Sequence, residues 1–140
     1  MIEERSAGVI LFNIKKEVKF LILKYPSGHW DFVKGNIEEG EKEEETVKRE
    51  LFEETGIDNL KIQEGFNQKV EYNYYIKNKK VHKIVSYYLA ETKQEEVKLS
   101  FEHLDYKWSN YEDLMNLITF DNSKDMLRKG NEVIKNLSKN

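Results

Sequence analysis

The feature that most constrains the fold of this chain is a run of strong helix formers framed by glycines. The segment Lys42–Thr55 contains no Gly or Pro, while Gly40 lies just before it and Gly56 just after it. Such residues favour a helix, and flanking glycines are typical of helix boundaries. Val47 and Leu51 are one helical turn apart, so we expect them to form a narrow apolar stripe that packs on a sheet.

Acidic side chains are concentrated in and around this helix. Nine of the 23 residues from Gly35 to Ile57 are Glu, and only three are Lys or Arg. Glu50, Glu53 and Glu54 have the i, i+3, i+4 spacing, which brings three carboxylates together within one turn. Like charges at this spacing repel, and burial strengthens the repulsion, so we expect a positive charge to offset it. Arg49 is available as a partner but is a single charge, so a divalent cation fits better. Magnesium suits this position because it takes a few carboxylate ligands and keeps sites open for water and phosphate.

An acidic helix also has simpler interpretations. Glutamate is a good helix former, and Glu-rich helices usually present a solvated face. We assign the first-turn residues Glu43, Glu44 and Glu45 to such a face. A helix that served only as a docking face for another protein would tolerate Lys at positions 50, 53 and 54 without loss of activity.

The remaining chain alternates between apolar, β-branched segments and two further helical segments. Ser6–Ile14 and Val18–Lys24 predict a hairpin, because a short charged turn joins two strand-like runs. The other predicted elements are a loop at Tyr25–Trp30, an extended piece at Asp31–Lys34, strands at Leu60–Phe66, Lys69–Ile76, Val81–Thr92 and His103–Ser109, a hairpin tip at Lys77–Lys80, and helices at Tyr111–Ile118 and Ser123–Leu137. This order predicts an α/β (α+β) fold with a mixed central β-sheet and helices packed on it.

Length and composition limit the class of protein further. The 140 residues suit a single domain spanning 1–140, and the net charge of −3 argues against a stable nucleic-acid partner. The absence of cysteine from the sequence excludes disulfides, zinc thiolates and a thiol nucleophile. The N-terminal segment has no secretory pattern and no apolar stretch is long enough to span a bilayer. We therefore expect a cytoplasmic protein with no membrane partner.

A set of nine residues extends this interpretation to a known family. The chain has Gly, five residues, Glu, seven residues, then Arg-Glu-Leu-Phe-Glu-Glu, one residue, and Gly-Ile, in the positions Gly35, Glu41, Arg49, Glu50, Leu51, Glu53, Glu54, Gly56 and Ile57. This pattern resembles the Nudix box at every specified position. The resemblance implies a Nudix fold, an α/β/α sandwich. It also implies hydrolysis of a nucleoside diphosphate linked to another group, with Mg²⁺ or Mn²⁺ as cofactor.

The resemblance also implies roles for individual residues. Glu50, Glu53 and Glu54 would ligate the metal, and Glu53 is a candidate general base. Arg49 would hold a carboxylate of the box in place through a charge-assisted hydrogen bond. Gly35 would offer its carbonyl to the metal where a Cβ would obstruct the approach.

Segments outside the box resemble asymmetrical diadenosine tetraphosphate hydrolases. They are "HWDFVKG", "EGF", "YYLAE", "SFEHLDYKW" and "YEDL", although related RNA pyrophosphohydrolases share parts of them. Glu102 resembles the carboxylate outside the box that completes the metal site or acts as base. A tyrosine that stacks on adenine corresponds to Tyr72 or to Tyr74, depending on the alignment, and both have the same strand parity.

Further substrate contacts are implied for the charged residues nearby. Lys83 and Lys34 resemble residues that bind the phosphate chain, and His29 lies in a loop where the family binds substrate. His103 either touches phosphate or packs. Val33 stands where the family usually has Pro, which affects the pre-box loop and substrate choice more than the reaction type.

The sequence as a whole predicts metal-dependent hydrolysis of diadenosine tetraphosphate to ATP and AMP. The catalytic residues would be Glu53, Glu102 and Arg49, and the partner a small-molecule dinucleoside polyphosphate bound by a monomer. An RNA 5′-pyrophosphohydrolase or another Nudix hydrolase is the nearest alternative. A non-catalytic nucleotide-sensing module is an alternative of another class, although such modules usually lose box carboxylates and this chain retains them.

Overall fold

The computed structural model describes residues 1–137 and contains a sheet and three helices. The strands are β1 (Ile2–Ile14), β2 (Val18–Lys24), β3 (Trp30–Asp31), β4 (Val33–Asn36), β5 (Lys61–Ile62), β6 (Gln68–Ile76), β7 (Lys79–Glu91) and β8 (Asp105–Ser109). The helices are α1 (Glu43–Thr55), α2 (Tyr111–Leu117) and α3 (Asp121–Leu137). None of these helices is long and apolar enough to cross a membrane.

The sheet is mixed, as the sequence predicts. Its two longest strands, β1 and β7, run parallel from the Ile2–Val81 pair to the Phe12–Glu91 pair. The other pairings are antiparallel: β1 with β2 and β4, β2 with β3 and β8, and β7 with β5 and β6. The predicted β1–β2 hairpin is present, with Phe12 opposite Phe20.

The two faces of the sheet are covered by different helices, which gives the expected α/β/α sandwich. On one face, Val47 and Leu51 of α1 pack against Ala7, Val9 and Leu11 of β1. Side chains of opposite parity, such as those of Ile10 and Phe12, pack on the other face against α2 and α3. Alternation along β1 therefore supplies both apolar cores.

Helix α1 has the predicted boundaries to within one residue. Lys42 is the N-cap, and its backbone N–H donates to Glu45 Oε1 at 2.9 Å. Gly56 ends the helix with a φ of 74°, a left-handed conformation that glycine adopts without the penalty a Cβ would impose.

Several predicted strand boundaries are wrong. The segment Leu60–Phe66 contributes only Lys61–Ile62 to the sheet, because the backbone turns at Gly65 with a φ of 85°. The hairpin tip is shorter than Lys77–Lys80. Lys77 and Asn78 both have positive φ, at 48° and 67°, and the tight turn they form leaves Lys79 and Lys80 inside β7.

Two other expectations need correction. The last strand begins at Asp105 rather than His103, because His103 is buried in the preceding loop. Glu43 does not belong to a solvated face: its carboxylate accepts hydrogen bonds from Ser86 Oγ at 2.9 Å and from Tyr88 OH at 2.7 Å. Glu44 and Glu45 are exposed, as expected.

Candidate active site

Strand β4 divides the predicted site residues between the two faces of the sheet. Gly35 faces α1, since a Cβ built on it would lie 2.0 Å from Glu50 Cδ. Lys34 faces the opposite side, where a Cβ on Gly8 would lie 3.0 Å from Lys34 Cβ and 2.9 Å from Tyr87 Cε1. Gly35, on which the Glu50 carboxyl group packs, and the predicted phosphate-binding Lys34 are therefore neighbouring residues of β4 that face opposite sides of the sheet.

Gly35 is required for the position of Glu50. The Cβ of any other residue would overlap the Glu50 carboxyl group, with Oε1 only 2.3 Å away. Contacts this short do not occur between real atoms, so the absence of a side chain at position 35 lets α1 bring its carboxylate against β4.

Arg49 connects the carboxylates that surround it. Its Nε and Nη2 donate to the two oxygens of Glu41 at 2.8 and 3.1 Å, a two-point contact that matches the planar guanidinium. Its Nη1 lies 2.7 Å from Glu50 Oε1 and 3.3 Å from Glu53 Oε2. Its Nη2 also donates to the Asn36 carbonyl at 3.0 Å. A single cation thus joins the pre-helix loop, β4 and two box carboxylates.

Burial and mutual repulsion act on the carboxylates of α1. Burial raises the pKa of Glu50, Arg49 opposes the shift, and Glu54 and Glu53 add to it. The pKa of Glu54 is raised by burial and, to a smaller extent, by Glu102 and Glu53, while His103 opposes the shift. These shifts follow from carboxylates that are partly removed from water and close to like charges. A nearby cation would favour their ionised forms.

Glu54 is the most buried of the three. His103 Nε2 donates a hydrogen bond to Glu54 Oε1 across 3.1 Å, and the Glu54 side chain is only 9% exposed. Its other oxygen, Oε2, is buried and has no hydrogen-bond partner among residues 1–137. Glu102 is exposed, next to His103 in sequence, and close enough to raise the pKa of Glu54.

On the other face of the sheet lies a cavity of about 350 Å³. Its lining includes Tyr72, Lys34, Tyr87 and Phe120. Burial lowers the pKa of Lys34, but Asp31 and Tyr72 more than offset that effect and the net shift is upward. Lys34 therefore presents a cationic group beside an aromatic ring, a combination that suits a nucleotide.

Tyr74 and Lys83 lie beside the cavity rather than in its lining. The Tyr74 hydroxyl donates to Glu4 Oε1, and the Tyr72 and Tyr74 ring centroids are 6.3 Å apart. Lys83 Nζ contacts Glu4 Oε1 at 3.2 Å and Asn36 Oδ1 at 2.9 Å. Tyr72 pairs with Lys83 across β6 and β7, so the two side chains share one face of the sheet.

Comparison with known protein families identifies the fold that carries this site. The model of the NUDIX domain matches residues 3–129, which is most of the chain. The chain belongs to the Nudix family. The glycine–carboxylate contact and the Arg49 cluster described above are thus the Nudix box of this chain, and Nudix hydrolases generally need a divalent metal.

The Nudix relatives of this chain include hydrolases of two kinds. It is 38% identical to the asymmetrical bis(5′-nucleosyl)-tetraphosphatase of Mus musculus, over 93% of this chain and 95% of that protein. It is 33% identical to an RNA pyrophosphohydrolase of Nitratiruptor, over 82% of this chain and 81% of that protein. A crystal structure of an Ap4A hydrolase from C. elegans in a binary complex superposes with a TM-score of 0.83 at 30% identity, covering 95% of this chain and 98% of that one.

The Nudix box residues of this chain fit a divalent cation in chemistry. Three features suit magnesium or manganese: the buried Glu54 oxygen that has no hydrogen-bond partner within residues 1–137, the Glu50 carboxyl group that Gly35 admits against β4, and the all-oxygen donor set. Within residues 1–137, no group of three acidic or histidine side chains lies in a ready-made metal-binding arrangement. Arg49 contacts Glu50 through Oε1 and Glu53 through Oε2, which leaves the other oxygen of each carboxylate outside these contacts.

Sequence reasoning named His29 and His103 but missed Tyr25 and Phe120, the aromatic residues that connect them to each other and to the cavity. The rings of Tyr25 and His29 stack at 4.7 Å, and Tyr25 also meets His103 edge-on at 4.7 Å. His29 lies 5.1 Å from Phe120, which lines the cavity. The loop that starts at Tyr25 contains a Pro and a Gly, which indicates a turn, but no local pattern indicates that its two ends stack.

Proposed function

We infer that this protein hydrolyses diadenosine tetraphosphate to ATP and AMP with Mg²⁺ or Mn²⁺ as cofactor. The observation that supports this most directly is the arrangement around β4. Box carboxylates lie on one face, and a cavity lined by Tyr72 and Lys34 lies on the other. A dinucleoside polyphosphate has an aromatic base, a long anionic chain and a bond to be hydrolysed, and each has a matching feature here.

The base and the phosphate chain are assigned to the cavity side. Tyr72 offers a ring on which one adenine stacks, a contact worth roughly 1–3 kcal/mol in nucleic-acid sites. Lys34 and Lys83 bind phosphate oxygens, since each ammonium has three donors and the present partners, Asp31, Glu4 and Asn36, do not use all of them. Tyr74 and His29 complete the proposed set of substrate contacts.

The hydrolytic step is assigned to the α1 side. Glu50, Glu53, Glu54, Glu102 and the Gly35 carbonyl would hold the divalent ion. Such an ion neutralises phosphate charge and makes water a better nucleophile. Glu53 takes the proton from the attacking water. The water oxygen bonds to one phosphorus while a bridging P–O bond breaks and the other nucleotide leaves. Arg49 orients both Glu50, which holds the ion, and Glu53, which takes the proton.

The test is the substitution Glu53→Gln, which keeps the size of the side chain but removes the base. We expect turnover of diadenosine tetraphosphate to fall by about 10²–10⁴-fold. The fold should persist, because the Glu53 side chain is 56% exposed. Glu44→Gln, at an exposed position of the same helix that the box pattern leaves unspecified, is the matched control. Near-normal turnover by Glu53→Gln would refute the assignment.

A second candidate substrate is triphosphorylated RNA, which the relative from Nitratiruptor favours. The net charge of −3 disfavours a long polyanion. Assays with diadenosine tetraphosphate, triphosphorylated RNA, ADP-ribose and oxidised dGTP in parallel separate the candidates. Hydrolysis in ¹⁸O-labelled water identifies the phosphorus that is attacked. Tight nucleotide binding without any product, in either metal, would instead favour a sensing module.

We further propose that residues 1–140 act as one catalytic domain, as a monomer in the cytoplasm. The absence of cysteine from the sequence is compatible with a reducing compartment. Light scattering of the purified protein, and fractionation of its native cells, test the two statements.

A further inference from the structure

His103 is a buried polar side chain for which the sequence leaves two alternatives, phosphate contact or packing, and to which the chemistry proposed above gives no task. It is 8% exposed and lies in the loop between β7 and β8, far in sequence from α1. Its imidazole nevertheless contacts Glu54, which carries one of the box carboxylates. A buried imidazole with two polar contacts and an aromatic neighbour is held in one orientation.

The two nitrogens of His103 have separate partners. Nε2 lies 3.1 Å from Glu54 Oε1, and Nδ1 lies 3.2 Å from Ser100 Oγ. A neutral imidazole that donates from Nε2 accepts at Nδ1, so the Ser100 hydroxyl supports the tautomer that can hold a carboxylate. Tyr25 packs edge-on against the ring, with centroids 4.7 Å apart.

The loop that carries His103 is bound to the end of α1 by its backbone. Lys98 N–H donates to the Thr55 carbonyl at 2.8 Å, and Ser100 N–H donates to the Glu54 carbonyl at 2.9 Å. On the far side, Leu104 N–H donates to the Lys24 carbonyl at 2.9 Å. The segment that also carries Glu102 therefore reaches Glu54 twice, through the main-chain N–H of Ser100 and through the side chain of His103.

Only one oxygen of Glu54 is used in this arrangement. Oε1 accepts from His103, while Oε2 is buried without a partner in the described residues. A buried carboxylate oxygen that lacks a hydrogen bond is costly unless a ligand satisfies it. Carboxylates that bind metals are commonly held by a hydrogen bond to the other oxygen, and loss of that bond weakens metal binding.

We propose that His103 is a positioning residue for the metal site: it holds Glu54 by Oε1, leaves Oε2 for the divalent ion, and couples the Glu102 loop to α1. This inference rests on the proposed function, because it takes Glu54 as a metal ligand. His103 touches neither substrate nor metal and acts through Glu54.

The test measures metal affinity directly, by titrating Mn²⁺ into the protein and following the free-ion signal by electron paramagnetic resonance. We expect His103→Ala to weaken Mn²⁺ binding about 10–100-fold. His103→Gln, whose side-chain amide can donate at the reach of Nε2, should recover most of that loss. Ser100→Ala, which removes only the partner of Nδ1, should have an intermediate effect. His82→Ala, at a strand position bonded to Asn73, is the matched control.

Turnover and stability complete the experiment. We expect His103→Ala to lower kcat for diadenosine tetraphosphate with little change in KM, and His103→Gln to restore it, whereas a packing role would make both variants equally defective. The melting temperatures of the variants in metal-free buffer show how much stability each substitution removes through lost packing. Unchanged Mn²⁺ affinity in His103→Ala, or equal losses in the Ala and Gln variants, would overturn the positioning role. If the wild-type protein binds no Mn²⁺ and hydrolyses nothing, the proposed function fails and this inference with it.

Discussion

At the scale of single residues, Gly35 shows how a missing side chain can be part of a site. The resemblance to the Nudix box implies that this glycine offers its carbonyl to a metal where a Cβ would obstruct the approach. In the structure, its missing Cβ provides the space that the Glu50 carboxylate occupies. Gly40 has a different need: its φ is 78°, and no atom lies within 4 Å of the place where a Cβ would be. One glycine is required for space and the other for backbone conformation.

These two glycines give a matched pair of substitutions. Gly35→Ala should displace Glu50 and lower turnover at least 10-fold, because a Cβ there would overlap the carboxyl group. Gly40→Ala should leave turnover unchanged and cost about 1–2 kcal/mol of folding free energy, the penalty of a left-handed conformation. Steady-state kinetics and urea unfolding measure the two effects. Equal turnover in both variants would contradict the assigned role of Gly35.

Lys34 and Asp31 show what the sequence does not reveal at this scale. Asp31 is 1% exposed, and its carboxylate accepts from Lys34, from the Phe32 backbone and from Ser123. Lys34 was predicted as a phosphate ligand from its place beside the box. The contact between Lys34 and the buried carboxylate of Asp31 also depends on α3. Ser123 of α3, 92 residues from Asp31, donates to the same carboxylate.

At the scale of elements, the shortest ion pair between the loop before α1 and the helix itself is that of Glu41 with Arg49. Arg49 binds both oxygens of Glu41, and Thr46 donates to the same carboxylate at 2.6 Å. These contacts, led by that of Arg49, lower the pKa of Glu41 to about 2. Local propensity predicts the helix, whereas this ion pair fixes the loop that leads into it.

The low pKa of Glu41 gives a pH-dependent contribution to stability. Its folded-state value lies below its ordinary value of 4.5, so the contribution is complete above about pH 5 and is lost as the pH falls toward 2. We expect the melting temperature of Glu41→Gln to lie below that of the wild type at pH 6 and to approach it at pH 3. Calorimetry in metal-free buffer measures the difference, with Glu39→Gln in the same loop as control. A difference that is constant with pH would contradict this account.

At the scale of the whole molecule, the sheet separates two tasks. The face covered by α1 holds the box carboxylates, and the face covered by α3 holds the cavity with Tyr72 and Phe120. Strand β4 is the boundary, and the stacked rings of Tyr25 and His29 lie beside it. Binding of the base and cleavage of the phosphate chain should therefore respond to different substitutions.

This separation predicts the kinetics of Tyr72→Leu. The loss of stacking, roughly 1–3 kcal/mol, corresponds to a rise in KM for diadenosine tetraphosphate of about 5- to 150-fold. We expect kcat to change little, because the substitution removes binding shared by substrate and transition state. Tyr75→Leu, on the same strand but 69% exposed and of opposite parity, is the control. If kcat falls and KM does not change, the cavity is not the base site.

The sequence by itself determined the elements and residues that depend on local pattern. The helix between Gly40 and Gly56, the β1–β2 hairpin and the mixed sheet follow from propensity and periodicity, and the Nudix box follows from the resemblance of nine residues to a known family pattern. Strand ends were predicted less well, as at Leu60–Phe66, because positive-φ turns interrupt pairing where the apolar pattern continues.

Only the tertiary structure decided the contacts between distant segments. The bond from His103 to Glu54, the stacking of Tyr25 on His29 and the burial of Asp31 beneath Ser123 depend on sheet register and on how loops pack over helix ends. Asp31 lies on β3, so a shift of register by one residue would send its side chain to the opposite face, although local propensity would be unchanged. His103, Tyr25 and His29 lie in loops, and their contacts depend on how those loops pack. Sequence thus indicates which groups are available, and packing decides which of them meet.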